Sequence, residues 1–146
     1  MKKTILTLFT ICLCLTNTFA QEWLTDFETA KNKSKTEDKA ILLVFQGSDW
    51  CVPCMKLDKK IWSSKEFIEG YSKHFILLVA DFPRKKKNAL SKEQTDQNKL
   101  LAEKYNKKGY FPLVVVLDNE GKVLGETGYN KLEPNEYLQS LITFTN

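Results

Sequence analysis

The sequence predicts a three-layer α/β or α+β domain. Three observations carry that expectation: two short unbroken aliphatic runs, helix-periodic segments around them, and a strand pair joined by a tight turn near the C-terminal end. Residues 23–35 place Trp23, Phe27 and Ala30 at helical spacing among Asp26, Glu28, Lys31 and Lys33, which predicts an amphipathic helix. Residues 40–45 read Ala-Ile-Leu-Leu-Val-Phe, the pattern of a strand buried on both faces of a parallel or mixed sheet. From Cys51 to about Trp62, the apolar positions Met55, Leu57, Ile61 and Trp62 fit a helix whose first turn tolerates Pro53. Ser63 and Glu66 form a capping-box pattern that starts a second helical segment through Phe67, Ile68 and Tyr71.

Residues 74–81 contain the second aliphatic run, Phe-Ile-Leu-Leu-Val-Ala, and predict another buried strand. The polar stretch that follows, with Arg84-Lys85-Lys86-Lys87, reads as a solvated loop. Ser91 and Gln94 offer a further capping box, for a helix over 92–106 that packs Leu100, Leu101 and Tyr105 into the core. Gly109 ends that region. Residues 113–117 and 122–128 form a hairpin around Asp118-Asn119-Glu120-Gly121, and Pro134 opens a last helix carrying Tyr137, Leu138, Leu141 and Ile142. The expected order is α-β-α-α-β-α-β-β-α, with no repeat and no linker that marks a domain boundary.

Residues 1–20 have the three parts of a secretory signal peptide: Lys2 and Lys3, an apolar stretch from Ile5 to Leu15, and a small residue, Ala20, at the expected cleavage site. The apolar stretch is shorter than the roughly 20 residues a membrane span needs. The residues before Cys12 and Cys14 lack the small side chains of a lipoprotein processing site, so neither a lipid anchor nor stable membrane insertion is expected. Removal of the segment takes away Lys2 and Lys3 but no acidic residue, so the formal charge of +4 falls to +2, too little to imply a nucleic-acid partner. Residues 21–146 are enough for one domain with its own core. The expected location is periplasmic or secreted.

Two cysteines remain, Cys51 and Cys54, in the run Gly47-Ser48-Asp49-Trp50-Cys51-Val52-Pro53-Cys54, where the first aliphatic strand gives way to a helix. A sulfur at a helix N-terminus lies near unpaired N–H groups that favour a thiolate. To be useful near neutral pH its pKa must fall from about 8.5 toward about 3.5–7.5. A loop this short constrains the unfolded chain only slightly, which favours a redox role over a structural staple.

Trp50-Cys51-Val52-Pro53-Cys54 after a buried strand, followed about 60 residues later by Tyr110-Phe111-Pro112 before a hairpin, resembles the thioredoxin superfamily over roughly residues 22–144. Gly47-Ser48-Asp49-Trp50-Cys51 with Lys56-Leu57 looks most like the exported bacterial thioredoxin-like proteins. The resemblance implies a three-layer α/β/α domain with a central mixed sheet. It also implies a thiol–disulfide oxidoreductase with Cys51 as attacking thiolate and Cys54 as resolving thiol, the latter more shielded. Substrates would be protein thiols or disulfides; a redox partner would regenerate the cysteine pair, and no cofactor or metal is required. Pro112 matches the family's cis-proline, and with Phe111 and Trp50 it would shape the substrate site. The strand before the motif departs from the family by carrying no acidic residue between Ile41 and Gln46, so proton movement at Cys54 would fall to water, Asp49 or another group.

Other chemistries remain open at this stage. The pair could be an inert disulfide in a peptide-binding module with an apolar rim of Trp50, Tyr110 and Phe111. Copper handling is the third reading, since thiolates suit a soft ion and Met55 is adjacent. Zinc would want four ligands, against two cysteines and His74. His74 itself is expected at a strand entry or on the surface.

Overall fold

Five strands form one mixed sheet in the order β1-β3-β2-β4-β5. They are β1 (Trp23–Leu24), β2 (Ala40–Gln46), β3 (Phe75–Asp81), β4 (Leu113–Leu117) and β5 (Val123–Thr127). The computed structural model describes residues 21–146; the expected signal peptide, with Cys12 and Cys14, lies outside the described residues. β1 and β2 both pair in parallel with β3, whereas β4 runs antiparallel to β2 and to β5. The central position of β2 explains its composition. It has a strand on either side and helices over both faces, so Ile41 through Phe45 are all buried.

Alternation along the strands sorts their side chains into two cores. Leu42, Val44, Leu77, Val114 and Val116 face one layer, packed with Leu57, Ile61, Trp62, Phe67, Tyr137 and Leu141. Ile41, Leu43, Phe45, Leu78, Val115 and Leu117 face the other, with Ala30 and Leu101. The first layer is built by α2 (Val52–Leu57), the π-helical turn Asp58–Trp62, α3 (Lys65–Gly70) and α5 (Pro134–Ile142). The second is built by α1 (Phe27–Glu37) and α4 (Lys92–Tyr105). The architecture is the expected three-layer α/β/α domain on a mixed sheet.

Several local expectations are corrected. The first helix starts at Phe27, where Asp26 caps it by accepting from the Thr29 amide at 2.7 Å. Trp23 and Leu24 belong instead to an edge strand, registered on Leu77 and Leu78. The helix cap after the redox motif is Ser64, whose Oγ accepts from the Phe67 amide at 3.2 Å; Ser63 finishes the π-helical turn. Ser91 does cap α4, but Gln94 turns its side chain to the Thr25 carbonyl and Asn98 and closes no reciprocal box. Leu100 is 65% exposed rather than core, because α4 turns Leu101 toward the sheet. His74 stands just before β3 and accepts from the Ala40 amide through its carbonyl, a strand-entry position as expected.

Candidate functional site

β2, the central strand, ends at Gln46, and a turn over residues 47–50 carries the chain from its C-terminal end into α2. The Trp50 and Cys51 amides both donate to the Gly47 carbonyl, at 3.3 and 2.9 Å. A Cβ at Gly47 would lie 2.2 Å from the Trp50 indole, so a glycine is required for the ring to fold back over the strand end. There the indole Nε1 donates to the Phe82 carbonyl at 2.7 Å. The ring meets Phe111 edge-on, with centroids 5.4 Å apart, and Phe111 meets Phe82 in the same way at 5.5 Å. Trp50 and Phe111, far apart in sequence, are thus brought together as expected.

Cys51 is the N-cap of α2, with Pro53 in the first turn. Its Sγ accepts from the Cys54 amide at 3.3 Å and is joined to Cys54 in a disulfide. Both cysteines are 3% exposed, which corrects the expectation that Cys54 is the more shielded. The amide of Cys51 is bound back to Gly47, and this draws the N-cap into the strand end. Backbone geometry, not burial, separates the two sulfurs, because an amide points at Cys51 Sγ. Val52 and Met55, which flank the pair in sequence, are exposed apolar side chains, as is Tyr110, the residue before Phe111.

Phe111 and Pro112 are half-buried and the peptide bond between them is cis. The approach to that bond is fixed by Asn106, which is 4% exposed at the end of α4. Its Oδ1 accepts from the Tyr110 amide at 2.9 Å and its Nδ2 donates to the Tyr110 carbonyl at 2.8 Å. Sequence reading missed Asn106; the signal was an amide side chain opening an Asn-Lys-Lys-Gly turn at the foot of a helix, with Gly109 at φ +66°.

The basic run at 84–87 is exposed, as expected of a solvated loop, and its backbone is also tied down. Asp49 accepts from the amides of Arg84 and Lys85, at 2.9 and 3.0 Å, and from Asn88 Nδ2 at 2.8 Å. The Arg84 guanidinium lies 3.8 Å from the centre of the Trp50 ring, in cation–π geometry. At the neighbouring strand end, Asp81 accepts from the Ser48 amide at 2.8 Å and from its hydroxyl at 2.6 Å. The Arg84 amide foremost, with the Asn88 and Lys85 donors, holds the Asp49 carboxyl below the usual carboxylate range. Asp49 is therefore committed to anchoring the loop, which corrects the idea that it serves Cys54. No acid lies on β2, and Asp58, whose amide donates to the Cys54 carbonyl one turn on, lines a cavity of about 200 Å³ with Gln46, Trp23, Trp62 and Val79.

Among the described residues, no group of three or more His, Cys, Asp or Glu side chains is arranged to hold a metal ion. Among them, too, no helix is long and apolar enough to cross a membrane.

The family described as thioredoxin-like matches residues 22–119. A disulfide bond reductase named DsbH from Chlamydia pneumoniae is 38% identical over 103 residues, covering 70% of this chain and 60% of that protein. A thioredoxin-related protein, DsbJ, from the same organism is 31% identical over 115 residues, covering 74% of this chain and 32% of its own length. The matched region thus spans less than two thirds of either relative. Among solved structures, a DsbH oxidoreductase superposes with a TM-score of 0.76 at 33% identity, over 90% of this chain and 91% of that one. A poplar thioredoxin h, at 19% identity and a TM-score of 0.56 over 84% of this chain and 92% of its own, shares the fold.

Proposed function

This chain belongs to the thioredoxin-like family, and from that premise we propose that it is an exported thiol–disulfide oxidoreductase acting on protein disulfides through Cys51 and Cys54. The observation that carries the proposal is the Cys54 amide directed at Cys51 Sγ, at a helix N-cap one residue beyond the aromatic cluster. A hydrogen bond to the sulfur stabilises its anionic form, and the helix N-terminus adds to the effect.

In the reduced protein the Cys51 thiolate attacks one sulfur of a substrate disulfide, forming a mixed disulfide and expelling the other sulfur as a thiolate. The Cys54 thiolate, its proton lost to solvent or a nearby base, then attacks Cys51 Sγ and expels the second substrate thiolate. Two electrons pass to the substrate and the protein is left with the Cys51–Cys54 bond. A reducing partner with its own dithiol restores the pair. The curated relative named as a disulfide bond reductase supports this direction of transfer.

Trp50, Phe111 and Pro112 hold the substrate strand. Phe111 packs on the indole beside Cys51, and Asn106 fixes the backbone that leads to it. The signal-peptide pattern in residues 1–20 and the Dsb relatives support a periplasmic or secreted location.

The test is insulin reduction with dithiothreitol as electron source, comparing wild type, Cys51→Ser and Cys54→Ser. Turnover is expected for wild type alone, with mixed disulfides accumulating on Cys51 of the Cys54→Ser variant. Equal rates for wild type and Cys51→Ser would show a peptide-binding module with an inert disulfide.

A further inference from the structure

We infer that the redox centre selects disulfides carried on acidic polypeptide, with the basic segment 84–87 as the recognition element; the inference rests on the thiol–disulfide reading above. A run of cations in a free loop averages over many positions and recognises little. This one is fixed at its base. The Asp49 carboxylate binds the Arg84 and Lys85 amides and the Asn88 side chain, and Arg84 is stacked on Trp50, the residue before Cys51.

Among the described residues none of Arg84, Lys85, Lys86 and Lys87 takes part in an ion pair, while lysines of α1, α3 and α4 do. Lys107 and Lys108, also without an ion pair among the described residues, precede Tyr110 on the segment that Asn106 pins beside Phe111. Arg84 is thus stacked on the aromatic cluster, while Lys107 and Lys108 stand on the chain just ahead of Tyr110 and Phe111, with Lys108 over the Tyr110 ring. Of the carboxylates at this end, Asp49 and Asp81 are spent on local donors. Asp58 lies on the π-helical turn and Glu126 lines a shallow pocket with Lys107 and Lys108. Four cations on a backbone held by Asp49, with Arg84 stacked on Trp50, outnumber the Asp49 and Asp81 carboxylates beside them and leave the segment net positive, and such a field both attracts and orients an anionic partner.

A lipid surface would also answer to clustered cations. Docked on this face, however, it would cover the cysteines, so the occupant that uses both features is a polypeptide bearing acidic residues near its disulfide.

The test uses two synthetic peptides of equal length, each closed by one disulfide and flanked by Glu in one and Lys in the other, with the neutral bis(2-hydroxyethyl) disulfide as reference. The reduced protein is expected to reduce the Glu-flanked peptide on the order of tenfold faster than the Lys-flanked one at low salt, with the ratio collapsing toward one at about 0.5 M salt. The triple variant Lys85→Glu, Lys86→Glu, Lys87→Glu should invert the preference and leave the rate with the neutral disulfide unchanged. Equal peptide rates at low salt, or a preference that survives the triple substitution, would overturn the inference. So would binding to phosphatidylglycerol vesicles with no discrimination between the peptides. Failure of the wild type to reduce even the neutral disulfide would instead overturn the parent oxidoreductase reading.

Discussion

Replacement of Asn106 by Ala isolates the support of the substrate segment from the chemistry of the sulfurs. The side chain makes two hydrogen bonds to the Tyr110 backbone from a site 4% exposed. Each is worth about 1 kcal/mol net, so the variant should lose about 2 kcal/mol. At a urea m-value of about 2 kcal/mol/M, the unfolding midpoint of the oxidised protein falls by about 1 M. The backbone turn should persist, since the Asn106 amide still donates to the Ala102 carbonyl and the Gly109 amide to Asn106. The loss should therefore be local. Insulin should be reduced with a raised KM, while alkylation of Cys51 by a small reagent keeps its wild-type rate. Asn106→Asp keeps the acceptor for the Tyr110 amide but turns a second oxygen on the Tyr110 carbonyl, and it should be no more stable than the Ala variant. A midpoint within about 0.2 M of wild type, with KM unmoved, would refute the reasoning.

Gly47→Ala places a methyl 2.2 Å from the Trp50 indole and should expel the ring from its place over Phe82, costing about 1–3 kcal/mol and shifting tryptophan emission to the red. Trp62, 2% exposed and packed on Trp23, Phe67 and Tyr137, should cost about 3–5 kcal/mol as Ala in a urea melt. Burial pushes the Tyr137 phenol well above its ordinary value of 10.0, so the native state resists ionisation that the unfolded chain undergoes freely. Its contribution is intact below pH 10 and is lost as the pH climbs from there toward the raised native value. Tyr137→Phe should forfeit about 1 kcal/mol at pH 7 with the bond to the Gly128 carbonyl, and melts from pH 8 to 11 should show a flatter alkaline decline than wild type.

What could be read from sequence was governed by periodicity and by covalent order. β2 and β3 announced themselves because strands covered on both faces are unbroken apolar runs, and the Cys-x-x-Cys pair is local by construction. β1 was hidden because Trp23, Phe27 and Ala30 satisfy a helical spacing by coincidence; Trp23 is held in an edge strand by Leu77 and by the ring of Trp62. Ser63 and Ser64 are chemically alike, so which one caps α3 depends on where the π-helical turn ends. Leu100 and Leu101 are adjacent in sequence but differ in orientation around α4, and only the sheet decides between them. The site's supports were the least legible. Asp49, Arg84 and Asn106 act through contacts with distant or backbone groups, and a charge run alone carries no sign that an aspartate thirty-five residues earlier will tie it down.

The proposed exchange chemistry requires Cys51 to be the sulfur that the backbone activates. Alkylation of the reduced protein by iodoacetamide across pH, with each cysteine followed by mass spectrometry, measures this most directly. Cys51 should react first, with an apparent pKa at least one unit below the free value of about 8.5, and Cys54 should lag throughout. Equal modification of the two cysteines, or a Cys51 that titrates near 8.5, would contradict the account.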